Sequence, residues 1–203
     1  YSPISHPNMP NKFELLVKAY YEQPGGGVGA YLCGLQPGDF IQAKVKSERL
    51  MHGSASLLNR GWKHVGLVAG GTGIAPLYQL VQLFLNDPSL ETTKLYVLSI
   101  NCRKEDILLK AELDQLVSKY PERIKVTYSL TQEQQSDDDN VDTLYEHGRG
   151  SVDMVRKALP DPGDDNASVM VFVCGKDGFV ETWGGPVGRA PPLENSSKGP
   201  KIQ

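Results

Sequence analysis

The rhythm of apolar and polar positions changes once along this chain, near residue 63. Before it, residues 13 to 21 (FELLVKAYY) and 40 to 46 (FIQAKVK) mix β-branched and aromatic residues in partial alternation, the pattern of half-buried strands. Between them, Gln23 to Leu32 is rich in glycine and Gln36-Pro37-Gly38-Asp39 carries turn chemistry, which predicts a glycine loop, a short helix and a Pro-Gly turn. After residue 63, short apolar runs alternate with stretches of helical spacing. VGLVAG (65 to 70), LYVLSI (95 to 100), IKVTYSL (124 to 130) and VMVFV (169 to 173) read as strands. Pro76 to Leu85 places Leu77, Leu80, Val81 and Phe84 at helical spacing, Leu108 to Tyr120 puts Leu109, Leu113 and Leu116 on one stripe, and Asp153 to Leu159 reads as a third helix. Near-continuous apolar strands alternating with helices predict a parallel, doubly wound sheet covered on both faces.

Two domains follow from the change of rhythm. Residues 1–62 read as part of a β domain with a linker, the boundary lying in the polar, irregular stretch Ser47 to Trp62, and residues 63–203 as an α/β domain. The acidic run Gln132 to Asn140 (QEQQSDDDN) reads as a solvated loop and lacks the glycine and the spacing of a calcium loop. The Pro-, Gly- and Ser-rich tail after Gly184 is expected to hold little regular structure.

Composition narrows the function classes. The chain has 203 residues, 39% of them hydrophobic, enough for a sizeable core, and a net charge of -3, which carries no footprint for nucleic acid or an anionic membrane. Its three cysteines, Cys33, Cys102 and Cys174, are far apart with no histidine at ligand spacing, so neither a disulfide framework nor a metal site is implied, and the reducing cytoplasmic side is the expected setting. No apolar run reaches the roughly 18 to 20 residues that cross a bilayer, so any anchor is expected from flanking sequence.

The candidate chemistry lies at strand ends. In an open α/β sheet, ligands bind outside the carboxyl ends of the strands, where helix N-termini present N–H groups to phosphates. Gly70-Gly71-Thr72-Gly73 closes the first strand, and Pro76 suits the first turn of the following helix because its φ is already helical. Such a turn also serves as a plain strand-to-helix connection. Cys174-Gly175 closes the fourth strand of the sheet, and although an isolated cysteine is most often a small hydrophobe, the expected strand order puts it beside the glycine turn.

Five motifs in order, Tyr1-Ser2-Pro3-Ile4-Ser5, Val17-Lys18-Ala19-Tyr20, Gly66 to Pro76, Asp106-Ile107-Leu108-Leu109 with Glu112-Leu113, and Cys174-Gly175, resemble the NADH-cytochrome b5 reductase branch of the ferredoxin-NADP reductase-like flavoproteins. The likeness runs nearly to Phe179. It implies a partial FAD-binding β-barrel followed by a doubly wound nicotinamide-nucleotide domain. It further implies that Tyr1 packs on the flavin and Ser2 hydrogen-bonds near it, as the end of a flavin motif whose arginine would precede Tyr1. Lys18 and Tyr20 would line the FAD, and Gly27, Val28 and Gly29 would hold its pyrophosphate through backbone N–H groups. Gly70, Gly71, Thr72, Gly73, Pro76, Cys174 and Gly175 would hold the nicotinamide nucleotide, with Cys174 aligning the nicotinamide rather than acting as a nucleophile.

Three departures stand out: Gly29 where the family usually has Ser, Ala75 where a flavin-contacting Thr is common, and the first part of the FAD barrel, which would precede Tyr1; beyond Phe179, Glu181-Thr182-Trp183 and the Pro-rich tail do not match the family's closing strand and terminal Phe. The implied activity is hydride transfer from NADH to FAD and single-electron delivery to a haem protein such as cytochrome b5. NADH is favoured over NADPH because Ser129-Leu130-Thr131-Gln132 lacks the Ser-Arg pair of NADPH-using relatives, although Thr131 replaces a frequent Asp and Arg103 and Lys104 stand after the second strand. A redox-inactive nucleotide-binding or regulatory module of the same fold, and the reductase module of a nitrate or ferric reductase, remain as alternatives.

Overall fold

The computed structural model describes residues 1–6, 9–19, 27–44, 61–132, 145–163 and 168–186. Helix α1 (Gly27–Gly34) belongs to the first region. The second contains β1 (His64–Gly70), α2 (Ile74–Asn86), β2 (Lys94–Asn101), α3 (Lys110–Lys119) and β3 (Ile124–Leu130), then β4 (Glu146–His147), α4 (Val152–Ala158), β5 (Val169–Cys174) and α5 (Asp177–Gly184). The strands form one five-stranded parallel sheet in the order β4-β3-β2-β1-β5.

The apolar runs become strands because both of their faces are covered. Val65, Leu67 and Ala69 of β1 join Leu95 and Val97 of β2 in a cluster with Leu77, Leu80, Val81 and Phe84 of α2 and Leu113 of α3. Val68 and Leu98 point the other way, into a cluster with Met154 and Ala158 of α4 and the half-buried Phe179 and Trp183 of α5. At the amino end of β3, Arg123 donates to the carbonyls of Phe84 and Leu90 at 2.8 Å each and to that of Leu85 at 3.4 Å. Two of these three carbonyls lie in the last turn of α2, where no intrahelical donor remains.

The four expected long strands are present within a residue or so of their predicted ends. Helix α2 starts at Ile74, two residues before Pro76, after a 3₁₀ turn at Gly71–Gly73. Two elements carried no prediction. The two residues of β4 are too short to show a period, and α5 lies where only the end of a motif was read.

The first region differs most from expectation. The expected short helix is α1, and the Pro-Gly turn closes with Asp39 N–H donating to the Gln36 carbonyl at 3.0 Å and Gly38 at φ +100°. The strands expected over 13 to 21 and 40 to 46 form no ladder among their described residues. Their one pairing is an isolated antiparallel bridge between Pro3 and Leu15, and Phe40 is 95% exposed. The reason is physical: an alternating segment becomes a strand only when a neighbour supplies hydrogen bonds and covers its apolar face. Ile4 and Leu16 find such cover by packing on the cluster shared by α2 and α3. The boundary stretch up to Arg60, most of the acidic run and residues 187–203 of the tail lie outside the described residues. Among the described residues no helix is long and apolar enough to cross a membrane.

Candidate nucleotide site

The sheet order creates a switch point beside β1. From β1 the chain builds outward through β2, β3 and β4, then returns to the other side of β1 as β5. Ligand crevices in open α/β sheets form at the carboxyl ends of the strands flanking such a reversal. Ala69 pairs with Cys174 across it, so the glycine turn after β1 and the Cys174-Gly175 tip of β5 are neighbours.

The two tips approach so closely that side chains are excluded. A Cβ on Gly73 would collide with the carbonyl of Cys174, and Cβ atoms on Gly70 and Gly175 would lie 2.8 and 2.7 Å from the ring of Phe179. Phe179 thus fills the space left by two glycines on two loops, a role that no periodicity announced. Gly71 differs: it sits at φ +53°, strained for any residue with a side chain, and the place of its missing Cβ is open. Thr72 beside it is exposed and Pro76 half-buried. Ile74 N–H is spent on the Gly71 and Thr72 carbonyls of the 3₁₀ turn and Pro76 has no N–H, so any anion held here would rest on the open Gly71 side of the turn. These features fit a nicotinamide dinucleotide.

Cys174 is half-buried, and burial pushes its thiol pKa up against a smaller opposing effect of the Gly175 backbone hydrogen bond. It is therefore a neutral thiol near neutral pH, suited to contact and alignment and unsuited to nucleophilic attack.

A second cluster gathers three of the residues expected at the flavin, Tyr1, Lys18 and Gly29. Gly29 is buried, and a Cβ there would lie 2.9 Å from the carbonyl oxygen of Lys18 and 3.0 Å from Tyr1 Oη. Tyr1, Lys18 and the amino-terminal turn of α1 are thereby brought together, and the close approach explains why glycine rather than serine stands at position 29. Gly27 has φ +62°, Val28 is 62% exposed and Ser2 half-buried. Ala75 is nearly covered in the first turn of α2, and Tyr20 lies outside the described residues. The glycine-lined turn fits an anionic group such as the FAD pyrophosphate.

The Lys18 ammonium reaches out of this cluster to Asp106, 88 positions away, at 2.6 Å. Hydrogen bonding to Lys18 is the largest influence on Asp106 and holds its carboxyl below the usual range, although burial opposes it. A lowered carboxyl pKa makes the pair's contribution complete above the ordinary carboxylate range and removes it as pH falls through the lowered value. Asp106 was part of a recognised motif without an assigned role; two charges in separate loops leave no periodic signal.

Beyond β2 and β3 the other expected residues are engaged or modest. Arg103 lies 3.4 Å from Glu105, and Lys104 sits over the Tyr145 ring, 5.1 Å from its centre. Thr131 is half-buried and its N–H donates to the Asn101 carbonyl. Among the described residues no group of His, Cys, Asp and Glu could hold a metal ion.

The fold and this crevice define a class. Residues 67–183 match the oxidoreductase NAD-binding domain, and the chain belongs to that family. Residues 1–50 match the oxidoreductase FAD-binding domain. An NADH-cytochrome b5 reductase-like protein of Arabidopsis thaliana is 34% identical over 94% of this chain and 52% of its own length. NADH-cytochrome b5 reductase 1 of Homo sapiens is 30% identical over 89% of this chain and 62% of its own. The chain thus spans between half and two thirds of the length of these relatives. Among solved structures, the CS–b5R domains of human Ncb5or in the NAD+ form share the fold with a TM-score of 0.67 at 23% identity, covering 90% of this chain and 50% of that one. The cytochrome b5 reductase domain of Ulva prolifera nitrate reductase gives a TM-score of 0.50 at 30% identity, over 59% of this chain and 42% of that one.

Proposed function

We propose that the chain is the nucleotide domain, with the adjoining part of the flavin domain, of an NADH-dependent reductase that carries FAD and delivers electrons singly to a haem protein such as cytochrome b5, on the cytoplasmic side. The division into residues 1–62 and 63–203 is part of this reading, and the two domain matches support it. The observation that carries the proposal is the juxtaposition of the two strand tips at the switch point, where Gly73 packs against the Cys174 carbonyl and the missing Cβ of Gly71 leaves open space.

Bound FAD would supply the chemistry, accepting two electrons from NADH and releasing them one at a time. The chain's own residues bind and orient. The turn Gly70 to Gly73 would offer backbone donors to the dinucleotide phosphates, and Cys174, a neutral thiol, would give the nicotinamide a polarisable surface. Tyr1, Ser2, Lys18 and the turn Gly27 to Gly29 hold the flavin side. NADH is favoured over NADPH because Ser129-Leu130-Thr131-Gln132 after β3 lacks the Ser-Arg pair of NADPH-using relatives, while Arg103 and Lys104, near Glu105 and the Tyr145 ring, are the cations that could still reach a 2′-phosphate.

The test uses the full-length protein purified with its flavin. NADH is expected to bleach the flavin absorbance, with kcat/KM larger for NADH than for NADPH. Cys174→Ser is expected to keep its flavin yet be reduced roughly tenfold more slowly, about 1.4 kcal/mol of lost alignment. A protein that binds no flavin, or whose flavin ignores NADH, would refute the reading. A Cys174→Ser variant reduced at the parent rate would return Cys174 to a packing role.

A further inference from the structure

The run Asp106 to Leu109 is used by nothing in the crevice described above, yet it is built rigidly. Lys104–Asp106 forms a 3₁₀ turn in which Asp106 N–H donates to the Arg103 carbonyl at 3.1 Å and Ile107 N–H to that of Lys104 at 3.1 Å. Immediately after it, Leu109 caps α3 in the left-handed conformation at φ +58°, which a side chain adopts only where packing holds it. The packing is present: Leu109 and Leu113 are buried, and Ile107 and Leu108 pack on the same cluster. The backbone that carries Asp106 is therefore held by its turn hydrogen bonds and by the packing of the residues that follow it.

Its partner comes from the other region. The Lys18 ammonium lies 2.6 Å away, while the Lys18 carbonyl packs against Gly29 at the start of α1. One residue thus touches the flavin-side turn through its backbone and the nucleotide domain through its side chain. The end of β2 is equally placed for register, since Ile100 pairs with Gly70 at the start of the glycine turn. Both side chains are partly exposed, 39% for Lys18 and 28% for Asp106, and pairs of this kind add little to global stability. What the pair can supply is direction: a bridge across 88 positions fixes where one segment lies on the other.

We propose that Asp106 is a positioning residue, whose bridge to Lys18 pins the flavin-side segment to the ligand edge of the nucleotide domain and so sets the register between nicotinamide and flavin. This deepens the function proposed above and rests on it for the register, whereas the pinning is a property of the folded chain alone. In this role Asp106 acts through Lys18.

Asp106→Asn and Asp106→Glu in the flavin-loaded, full-length protein test it with two readouts. The first is hydrogen exchange. In Asp106→Asn the backbone amides of residues 14–19 should exchange at least fivefold faster while those of β1, β2 and β3 stay unchanged, and Asp106→Glu should restore most of the protection. The second is stopped-flow flavin reduction at saturating NADH. Asp106→Asn should lower the limiting rate roughly tenfold, with flavin content and the NADH dissociation constant within twofold of the parent, and added salt should slow the parent but not the variant. Unchanged exchange at residues 14–19 would overturn the pinning. Faster exchange with an unchanged reduction rate, or a variant that loses its flavin, would overturn the positioning role. If the parent itself is not reduced by NADH, the proposed function and the register fail together, and the exchange readout still decides the pinning.

Discussion

Leu67 and Phe40 are both large and apolar, and the chain treats them in opposite ways. Leu67 is fully buried at the centre of the sheet, whereas Phe40 is 95% exposed. The parallel sheet covers one face with the crossover helices α2 and α3 and the other with α4 and with α5, which follows β5, so its core is built largely from one continuous stretch of chain. The described residues of the first region show no such device. Its apolar residues Tyr1, Phe13, Tyr31 and Phe40 are more than half exposed, and its described backbone forms one isolated bridge. A barrel segment has its cover in strands distant in sequence, so patterning alone cannot bury it; a βαβ unit carries its cover with it.

This contrast can be broken most sharply at β1. Leu67→Ala removes a wholly buried side chain from the sheet interior and is expected to cost about 2–5 kcal/mol, read as a loss of denaturant midpoint. A cost below about 1 kcal/mol would mean that the sheet does not carry the stability. Gly73→Ala is expected to cost about 1–3 kcal/mol, because a methyl would meet the Cys174 backbone rather than a movable side chain, and to weaken NADH binding together with stability. Binding at parental affinity would place the nucleotide elsewhere. Phe40→Ser should change the stability of this chain by no more than about 0.5 kcal/mol. A cost above about 1 kcal/mol would show that Phe40 is covered in solution.

The sequence disclosed the two regions unequally for the same reason. LYVLSI and IKVTYSL are legible because burial on both faces leaves a continuous apolar run, and α2 because Leu77, Leu80, Val81 and Phe84 share one stripe. Alternation in FELLVKAYY is only partial, and among the described residues it meets a single bridge, Pro3 to Leu15. Helix α5 left a faint signal, Phe179 and Trp183 four apart behind Asp177, masked by glycines at both ends. At the site, the juxtaposition of Gly73 and Cys174 follows from strand order and was readable. The meeting of Tyr1, Gly29 and Lys18 was implied only by resemblance, and the Lys18–Asp106 bridge by neither, because charged pairs between loops obey no spacing rule.

The clamp that Arg123 places on the last turn of α2 has a mechanical consequence. Helix α2 is a strut pinned at both ends: at one by Gly73 wedged beneath the Cys174 carbonyl, at the other by a guanidinium gripping the carbonyls of Phe84 and Leu85. Such a strut resists sliding along its axis, the motion by which packed helices commonly relay events from one site to another. Whatever accommodation a nucleotide demands must then be taken up in the short loops at the strand tips, leaving the sheet and its covering helices as an unmoving bench on which two cofactors can be brought to a fixed distance.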